Sequence, residues 1–262
     1  MRVHVVSDVH GNVEALARAA EGADALVILG DLLDFVDYND YSAGILGAVF
    51  GAGVVRRFAE LRSGGAPGEA GVFARQMWDD LDDPAAVVID AVREQYRRIF
   101  AVLPDPTYAV PGNVDLPQLW PEFAHDGVRV LDGEATDIGG LRFGFVGGAL
   151  LPDGVSPRRA DPWMSYLRTS QDYATAVGGL PEVDVLCSHV PPAVPELVYD
   201  VVARNPEIGS EALLDVIRRN QPWAALFGHV HHPLAPRVRL GRTECVNVGH
   251  FQRIAVPYML RW

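Results

Sequence analysis

The sequence predicts an α/β fold, and residues 1–31 carry the two observations behind this prediction. Apolar, strand-like runs stand at 2–6 and 25–30, with the helical stretch VEALARAAEG between them. An aspartate follows each run, at Asp8 and Asp31. Because strands of an α/β sheet present ligand groups at their carboxyl ends, we expect a binding site there.

The next segment, about 36–83, has weak periodicity and is broken by SGGAPGEAG. A structureless loop of this length is uncommon in a compact domain. The segment is therefore predicted to be a helical, cap-like insertion. No linker or repeat divides the sequence, so residues 1–262 are predicted to form a single domain.

Two later helices have defined predicted starts. One opens after Asp82 or Asp83, with Pro84 in its first turn, and carries apolar residues at helical spacing. The other, at about 211–220, begins after Ser210, a residue type that caps helices. Short strands are predicted at 107–110, 128–131, 141–146, 183–187, 223–227, 236–240, 244–248 and 254–261. The strands from 236 onward are expected to be antiparallel.

Composition excludes several classes of function. The formal charge is −12, and all 22 basic residues are arginine. Because binding to long nucleic acid relies on basic residues, such a partner is not expected. No apolar run approaches the ~18 residues of a membrane span, and MRVHVVSD lacks a signal-peptide pattern. We therefore predict a cytoplasmic protein with no membrane partner, and the two cysteines are expected to be core residues.

Five short motifs, each after an apolar run, contain nearly all the candidate metal ligands. They are Asp8 and His10 in SDVHG, Asp31 in GDLLD, Asn113 and Asp115 in GNVD, His189 in CSHVPP, and His229 and His231 in GHVHHP. Asp-x-His places a carboxylate and an imidazole on one turn, where both can reach one ion. Mixed oxygen and nitrogen ligands suit manganese, iron or zinc better than calcium or magnesium.

The ordered series D-x-H, GD, GN-x-D, H and GH-x-H resembles the calcineurin-like metallophosphoesterase superfamily. The resemblance spans residues 8–231 and implies a four-layer α/β/β/α sandwich with two metal ions, manganese being expected and iron or zinc the alternatives. It assigns Asp8, His10 and His231 to one ion, Asn113, His189 and His229 to the other, and Asp31 to a bridge between them. A hydroxide bridging the ions is the nucleophile it implies, with Asp31, Asn113 and His229 as catalytic residues.

The sequence departs from this family at Val114. Many members carry histidine there, as a general acid near the leaving group, so Asp115 stands here without the histidine it would orient. Three explanations remain open: a leaving group that needs no acid, another proton donor such as His232 or His250, or binding without efficient turnover. Members lacking this histidine include enzymes that resemble phosphodiesterases.

Further residues are weaker candidates for substrate contact. Asn12 is expected either to cap the first helix or to touch a phosphate. Arg158 and Arg159 follow a glycine-containing loop and are candidates for a second phosphate or nucleotide, although an exposed arginine pair is usually solvated. Asn39, with Tyr38, lies in an acidic and aromatic stretch that could wall the pocket or pack within the insertion.

These observations predict a metal-dependent phosphodiesterase acting on a small phosphorylated or nucleotide-like substrate. A phosphomonoesterase, including a protein phosphatase, is the alternative within the same chemistry. A non-catalytic binding module on the same fold is the alternative from another class, and it is disfavoured because all seven ligand positions are filled. The inserted segment is a candidate for the pocket wall or for a homodimer contact.

Overall fold

The computed structural model describes residues 1–63, 67–152, 154–155 and 165–262. The helices are α1 (Val13–Arg18), α2 (Gly44–Ser63), α3 (Pro67–Asp79), α4 (Pro84–Phe100), a 3₁₀ helix (Pro117–Glu122), α5 (Ser170–Gly179), α6 (Pro195–Val198), α7 (Glu211–Asn220) and α8 (Phe251–Ile254). The strands are β1 (Arg2–Val6), β2 (Ala25–Ile28), β3 (Thr107–Ala109), β4 (Val128–Val130), β5 (Glu134–Ile138), β6 (Leu141–Val146), β7 (Ala149–Leu150), β8 (Leu167–Arg168), β9 (Val185–Ser188), β10 (Tyr199–Asp200), β11 (Asn205–Pro206), β12 (Ala224–Phe227), β13 (Arg237–Leu240), β14 (Thr243–Asn247) and β15 (Tyr258–Arg261).

Two mixed sheets form the centre of the molecule. The first has the order β15-β1-β2-β3-β4, with parallel pairing from β1 to β4 and an antiparallel β15 at its edge. The second has the order β13-β14-β12-β9-β6-β5, with parallel pairing from β14 to β6 and an antiparallel strand at each edge. Parallel strands connected through helices bring ligand loops to one end of each sheet.

Three apolar cores separate four layers. Alternate residues of a strand face opposite sides of its sheet, so Val5 packs between the two sheets while Val6 packs against the helices. The first core joins α1 and α4 to the first sheet, and the middle core joins the inner faces of both sheets. The third joins α5 and α7 to the second sheet. The predicted α/β/β/α sandwich is confirmed by this layering.

The segment predicted as an insertion contains α2 and α3. Helix α2 is bent at Gly51, whose φ of 77° and ψ of 160° interrupt the helical backbone. Helix α4 begins as predicted, because the Asp83 carboxylate accepts a hydrogen bond from the Ala86 N–H and Pro84 occupies the first turn. Ser210 caps α7 in the same way, accepting from Leu213.

The end of the chain differs from the antiparallel arrangement predicted for it. Strands β13 and β14 are antiparallel to each other, but β14 runs parallel to β12. Strand β15 leaves this sheet and pairs with β1 of the other one. Residues 254–257, predicted as strand, contain the end of α8 and a loop. In the described part of the chain, no helix combines the length and apolar character needed to cross a membrane.

Candidate metal centre

The predicted ligands lie in loops that follow five parallel strands of the two sheets. Asp8, Asp31 and Asn113 follow β1, β2 and β3 of the first sheet, and His189 and His229 follow β9 and β12 of the second. The carboxyl ends of the two sheets thus meet at one place. His229, for example, donates its backbone N–H to Asp8 Oδ2 at 3.0 Å, across 221 residues of chain.

Four of these residues have left-handed backbone conformations. The φ angles are 57° at Asp8, 39° at His10, 54° at Asp31 and 66° at His229. Such angles disfavour residues with a Cβ and cost of order 1–2 kcal/mol each. Backbone hydrogen bonds between the loops hold the strained turns, from Asp8 N to Gly30 O and from His10 N to Asp31 O, both 3.0 Å. Strained turns of this kind concentrate at functional sites.

Glycines beside the ligands allow the loops to approach closely. A Cβ on Gly112 would stand 2.2 Å from Asp31 Oδ1, and a Cβ on Gly30 would stand 2.3 Å from Gly112 N. A Cβ on Gly228 would lie 2.3 Å from Asp8 Oδ2. No real Cβ tolerates such distances, so the site can close only with glycine at these positions.

One cluster of side chains contains Asp8, His10 and His231. The His231 Nε2 lies 3.5 Å from Asp8 Oδ1 and 3.3 Å from His10 Nε2. Two imidazole nitrogens at this separation are spaced like neighbouring ligands of one ion with bonds of about 2.0–2.1 Å. The three residues predicted for the first ion are therefore brought together.

The second cluster contains Asn113, His189 and His229. The His189 Nε2 is 2.9 Å from Asn113 Oδ1, and the rings of His189 and His229 meet edge to face with centroids 5.1 Å apart. Asp31 stands between the clusters: its Oδ2 lies 3.9 Å from His10 Nε2 and 3.5 Å from His189 Nε2. One carboxylate oxygen thus lies within 4 Å of an imidazole nitrogen from each cluster.

Backbone carbonyls orient two of the imidazoles. His10 Nδ1 lies 2.9 Å from Leu33 O, and His189 Nδ1 lies 2.7 Å from Leu29 O. A carbonyl oxygen can only accept a hydrogen bond, so each Nδ1 carries the proton and is the donor. When these rings are neutral, the Nε2 lone pair therefore faces the centre, as in metal-binding histidines held by an outer partner.

The histidines and carboxylates shift one another's pKa. Burial disfavours ionised Asp8, but His231, His189 and His10 together hold the pKa of its carboxyl well below the ordinary value. Burial likewise opposes a charge on His189, yet Asp31 raises its pKa to about 9. Burial and the adjacent His189 lower the pKa of His229 to about 4. The centre therefore stabilises anionic carboxylates, and a cation bound at His189 must displace its proton.

The donor set fits a metal ion. Donor atoms of Asp8, Asp31 and His189 lie within 4.8 Å of one another. Asp8 Oδ1 is buried and has no hydrogen-bond partner among the described residues, a costly state that a cation would relieve. Carboxylate oxygen with imidazole nitrogen is a ligand set for manganese, iron or zinc.

Three residues of the GNVD motif have separate roles. Asn113 reaches the second cluster, while the Val114 N–H donates to Asp31 Oδ1 at 2.7 Å. Asp115 is fully buried, and its carboxylate accepts hydrogen bonds from the backbone N–H groups of Gly112 and Leu32. Burial, with the charge of Asp31, raises the Asp115 pKa to about 7. Asp115 therefore ties two ligand loops together.

The other residues predicted to contact substrate lie in separate environments. The Asn12 side chain caps α1 by accepting from the Ala15 N–H and donates to Gln252 O at 2.8 Å. Asn39 lies in an exposed turn, and its backbone N–H donates to Asp37. The prediction for Arg158 and Arg159 falls outside the described residues.

Sequence reasoning missed two groups that support the centre. The Tyr166 N–H donates to Asn113 O at 2.9 Å, and the Tyr166 hydroxyl donates to Asp132, which also binds Arg168. The second group is Gln252, whose backbone N–H donates to Asp8 O and whose side chain donates to His10 O. Neither stands in a ligand motif, and only their position in the folded chain reveals them.

This four-layer fold, with a carboxylate and imidazole centre at the strand ends, defines a metal-binding class of α/β protein. The chain belongs to the calcineurin-like phosphoesterase family, whose model matches residues 1–233. Membership confirms the predicted family and implies metal-dependent hydrolysis of phosphate esters.

One solved structure shares this fold at low sequence identity, and a second is less similar. The crystal structure of TT1561 of Thermus thermophilus is 15% identical with a TM-score of 0.54, covering 99% of this chain and 98% of its own. GAP50, described as the anchor in the inner membrane complex of Plasmodium, is 11% identical with a TM-score of 0.43, covering 95% of this chain and 71% of its own. A comparison with curated proteins finds no match.

Proposed function

We propose that this protein is a binuclear phosphodiesterase that hydrolyses a small phosphorylated or nucleotide-like substrate. The observation that carries the proposal is the position of Asp31. Its Oδ2 lies within 4 Å of an imidazole nitrogen from each ligand cluster. A shared carboxylate is the element that a two-ion site needs and a one-ion site does not.

The surrounding residues have distinct roles in this proposal. Asp8, His10 and His231 would hold one ion, and Asn113, His189 and His229 the other, with Asp31 common to both. Two such ions would supply a water of lowered pKa and stabilise charge on the phosphoryl oxygens during an in-line displacement. The Val114 N–H holds Asp31 Oδ1, which leaves Oδ2 directed to the shared position.

The side chain at Val114 favours a substrate whose leaving group needs no general acid. A positioned acid contributes ~10²–10⁴ in rate, and valine has no proton to donate. Leaving groups of low pKa, such as aryl or phosphoanhydride oxygens, depart without that help. Alkyl esters would then react slowly unless another group supplies the proton.

Charge near the centre favours a diester over a monoester. Asp37 and Asp40 lie in the loop after Asp31, and the formal charge of the protein is −12. A phosphodiester carries one negative charge, whereas a monoester carries about two near neutral pH, so this acidic surrounding repels the monoester more strongly.

The test compares two substrates with the same leaving group. Metal-free protein is reloaded with Mn²⁺ and assayed with bis(4-nitrophenyl) phosphate and 4-nitrophenyl phosphate. We expect kcat/KM to be at least ~10-fold higher for the diester, a difference of about 1.4 kcal/mol in transition-state binding. The opposite ratio would indicate a phosphomonoesterase.

Two variants and one metal measurement control this experiment. Asp31→Asn removes the shared charge and should abolish hydrolysis of both substrates. Asp215→Asn makes the same change on the exposed side of α7 and should leave both rates unaltered. Elemental analysis should find two equivalents of metal in the wild-type protein, and fewer than two with no hydrolysis would support a binding module.

A further inference from the structure

A segment after the last strand of the second sheet closes one side of the metal centre. Residues 250–254 follow β14 and include α8. The Phe251 N–H donates to Ser7 O at 3.0 Å, and the Gln252 N–H donates to Asp8 O at 2.9 Å. The segment is thus fixed to the loop that carries Asp8 and His10.

His250 lies against the first ligand cluster and has a free nitrogen. Its side chain is buried, with 6% of the residue exposed, and its ring stacks on His231 with centroids 3.8 Å apart and planes 21° apart. A ring nitrogen lies within 4.8 Å of nitrogens of His10 and His231. Nδ1 is buried and has no hydrogen-bond partner in the described part of the chain.

Gln252 determines which nitrogen of His250 carries the proton. The Gln252 amide nitrogen donates to His10 O at 3.1 Å, and because a carbonyl only accepts, this contact fixes the orientation of the amide. Gln252 Oε1 then faces His250 Nε2 at 3.2 Å and accepts a hydrogen bond from its N–H. The neutral ring therefore keeps its lone pair on Nδ1, the nitrogen without a partner.

The stacked rings exclude direct coordination of one ion by both histidines in their ring planes. An imidazole nitrogen binds an ion such as zinc in the plane of its ring, at about 2.0–2.1 Å. Because the two ring planes are stacked and nearly parallel, His231 and His250 would not both hold one ion through in-plane nitrogens. The lone pair of His250 is instead suited to accept a hydrogen bond from a group held beside the ion.

We propose that His250 is a positioning residue whose Nδ1 accepts a hydrogen bond from a water or hydroxyl group bound between His10 and His231. This inference rests on the proposed metal site. A buried acceptor without a donor is costly, and a bound O–H group would satisfy it. In this tautomer the free lone pair is on Nδ1, so His250 accepts a hydrogen bond and does not protonate a leaving group.

Two substitutions at His250 test the contribution of its lone pair and that of its stacked ring separately. His250→Phe keeps a flat ring against His231 but has no acceptor, while His250→Asn places an amide oxygen near the position of Nδ1. Metal-free full-length proteins are titrated calorimetrically with Mn²⁺ at one pH. We expect His250→Phe to weaken one of the two binding events by ~10–100-fold, the usual effect of losing an outer partner of a metal site. His250→Asn should restore binding to within a few-fold of wild type.

The outcomes distinguish this inference from the proposed function. If wild type does not bind two equivalents of Mn²⁺, the binuclear site itself is wrong. If wild type binds two but His250→Phe binds equally well, or His250→Asn is as weak as His250→Phe, the acceptor role is wrong. Circular dichroism checks folding, and His125→Phe, a change outside the centre, controls for loss of an imidazole. Gln252→Leu, which frees the tautomer, should also weaken Mn²⁺ binding and replaces His250→Phe if that variant does not fold.

Discussion

Val114 donates a backbone hydrogen bond at the centre, but its side chain has no proton to donate. Its N–H holds Asp31 Oδ1 at 2.7 Å, a contact that any residue except proline could make. Its side chain is partly buried and packs against the core formed by the first sheet and its helices. Substitution at this position can therefore add a proton donor while leaving the bond to Asp31 in place.

Val114→His should raise kcat for alkyl phosphodiesters while leaving kcat for 4-nitrophenyl esters within a few-fold of wild type. The reason is that an acid assists only the poor leaving group, by up to ~10²–10⁴. Steady-state kinetics with both substrates measure the change. Val114→Ala alters the size of the side chain without adding an acid and serves as the control. An intact metal content with no gain on alkyl esters would contradict the missing-acid explanation.

Asp34 is a buried acid next to the site whose pKa links stability to pH. Burial, with the nearby charge of Asp37, raises its pKa to about 7, above the ordinary value of 3.8. The folded protein then holds this proton more tightly than the unfolded chain between about pH 4 and pH 7. The contribution of Asp34 to stability is present below pH 4 and is lost as the pH rises to 7.

Asp34→Asn should remove this loss of stability at higher pH, because asparagine has the shape of aspartate but no charge. At pH 8 the variant is expected to be more stable than wild type, by on the order of 1 kcal/mol or more, since each unit of pKa shift is worth about 1.4 kcal/mol. Urea denaturation at pH 4 and pH 8 measures the difference. Equal stability gains at both pH values would show that charge at Asp34 is not the cause.

At the level of elements, glycine positions allow the strand ends to meet. Gly112→Ala should abolish Mn²⁺ binding, because its Cβ would stand 2.2 Å from Asp31 Oδ1 and 2.4 Å from Asp31 N. Gly53→Ala is the matched control: in α2 its Cβ would meet no atom within 4 Å. Alanine there should stabilise the helix by ~0.5–1 kcal/mol. Calorimetric metal titration and thermal unfolding of both variants test this contrast, and full metal binding by Gly112→Ala would refute it.

Elements with local signals could be predicted from the sequence, and elements defined by packing could not. Helices α4 and α7 were predicted because Asp83 and Ser210 cap them and their apolar residues repeat at helical spacing. Helix α5 was missed because it buries only Tyr173 and Val177 and ends in two glycines. Which of the two sheets β15 joins is decided by tertiary packing, and no local sequence pattern indicates that it pairs with β1.

For the whole molecule, the candidate centre joins the two sheets. Asp8, Asp31 and Asn113 come from the first sheet and His189 and His229 from the second, so a bound ion crosslinks them. The motif order in the sequence predicted which loops should meet. Gln252 was not predicted, because its relation to His10 arises from contacts between distant segments, and His250 was named only as a possible proton donor.

Removal of metal should lower the thermal stability of the whole protein. A ligand that binds only the folded state stabilises it by about 2.7 kcal/mol at 100 times its dissociation constant. Calorimetric unfolding in excess chelator and in excess Mn²⁺ should therefore give a lower Tm with chelator. Asp31→Asn should show a much smaller difference. An identical Tm for wild type under both conditions would contradict metal binding across the sheets.

The distance along the chain between the ligands also sets the time at which a metal can be acquired. His10 and His231 are 221 residues apart, so their meeting closes one of the longest loops in the chain. Contacts of this range form late in folding because the entropy of loop closure must be lost first. The apoprotein therefore has to reach a nearly native state before it is loaded. Metal should then slow unfolding far more than it speeds folding. The metal-loaded protein should therefore stay folded for longer mainly because its unfolding rate is low.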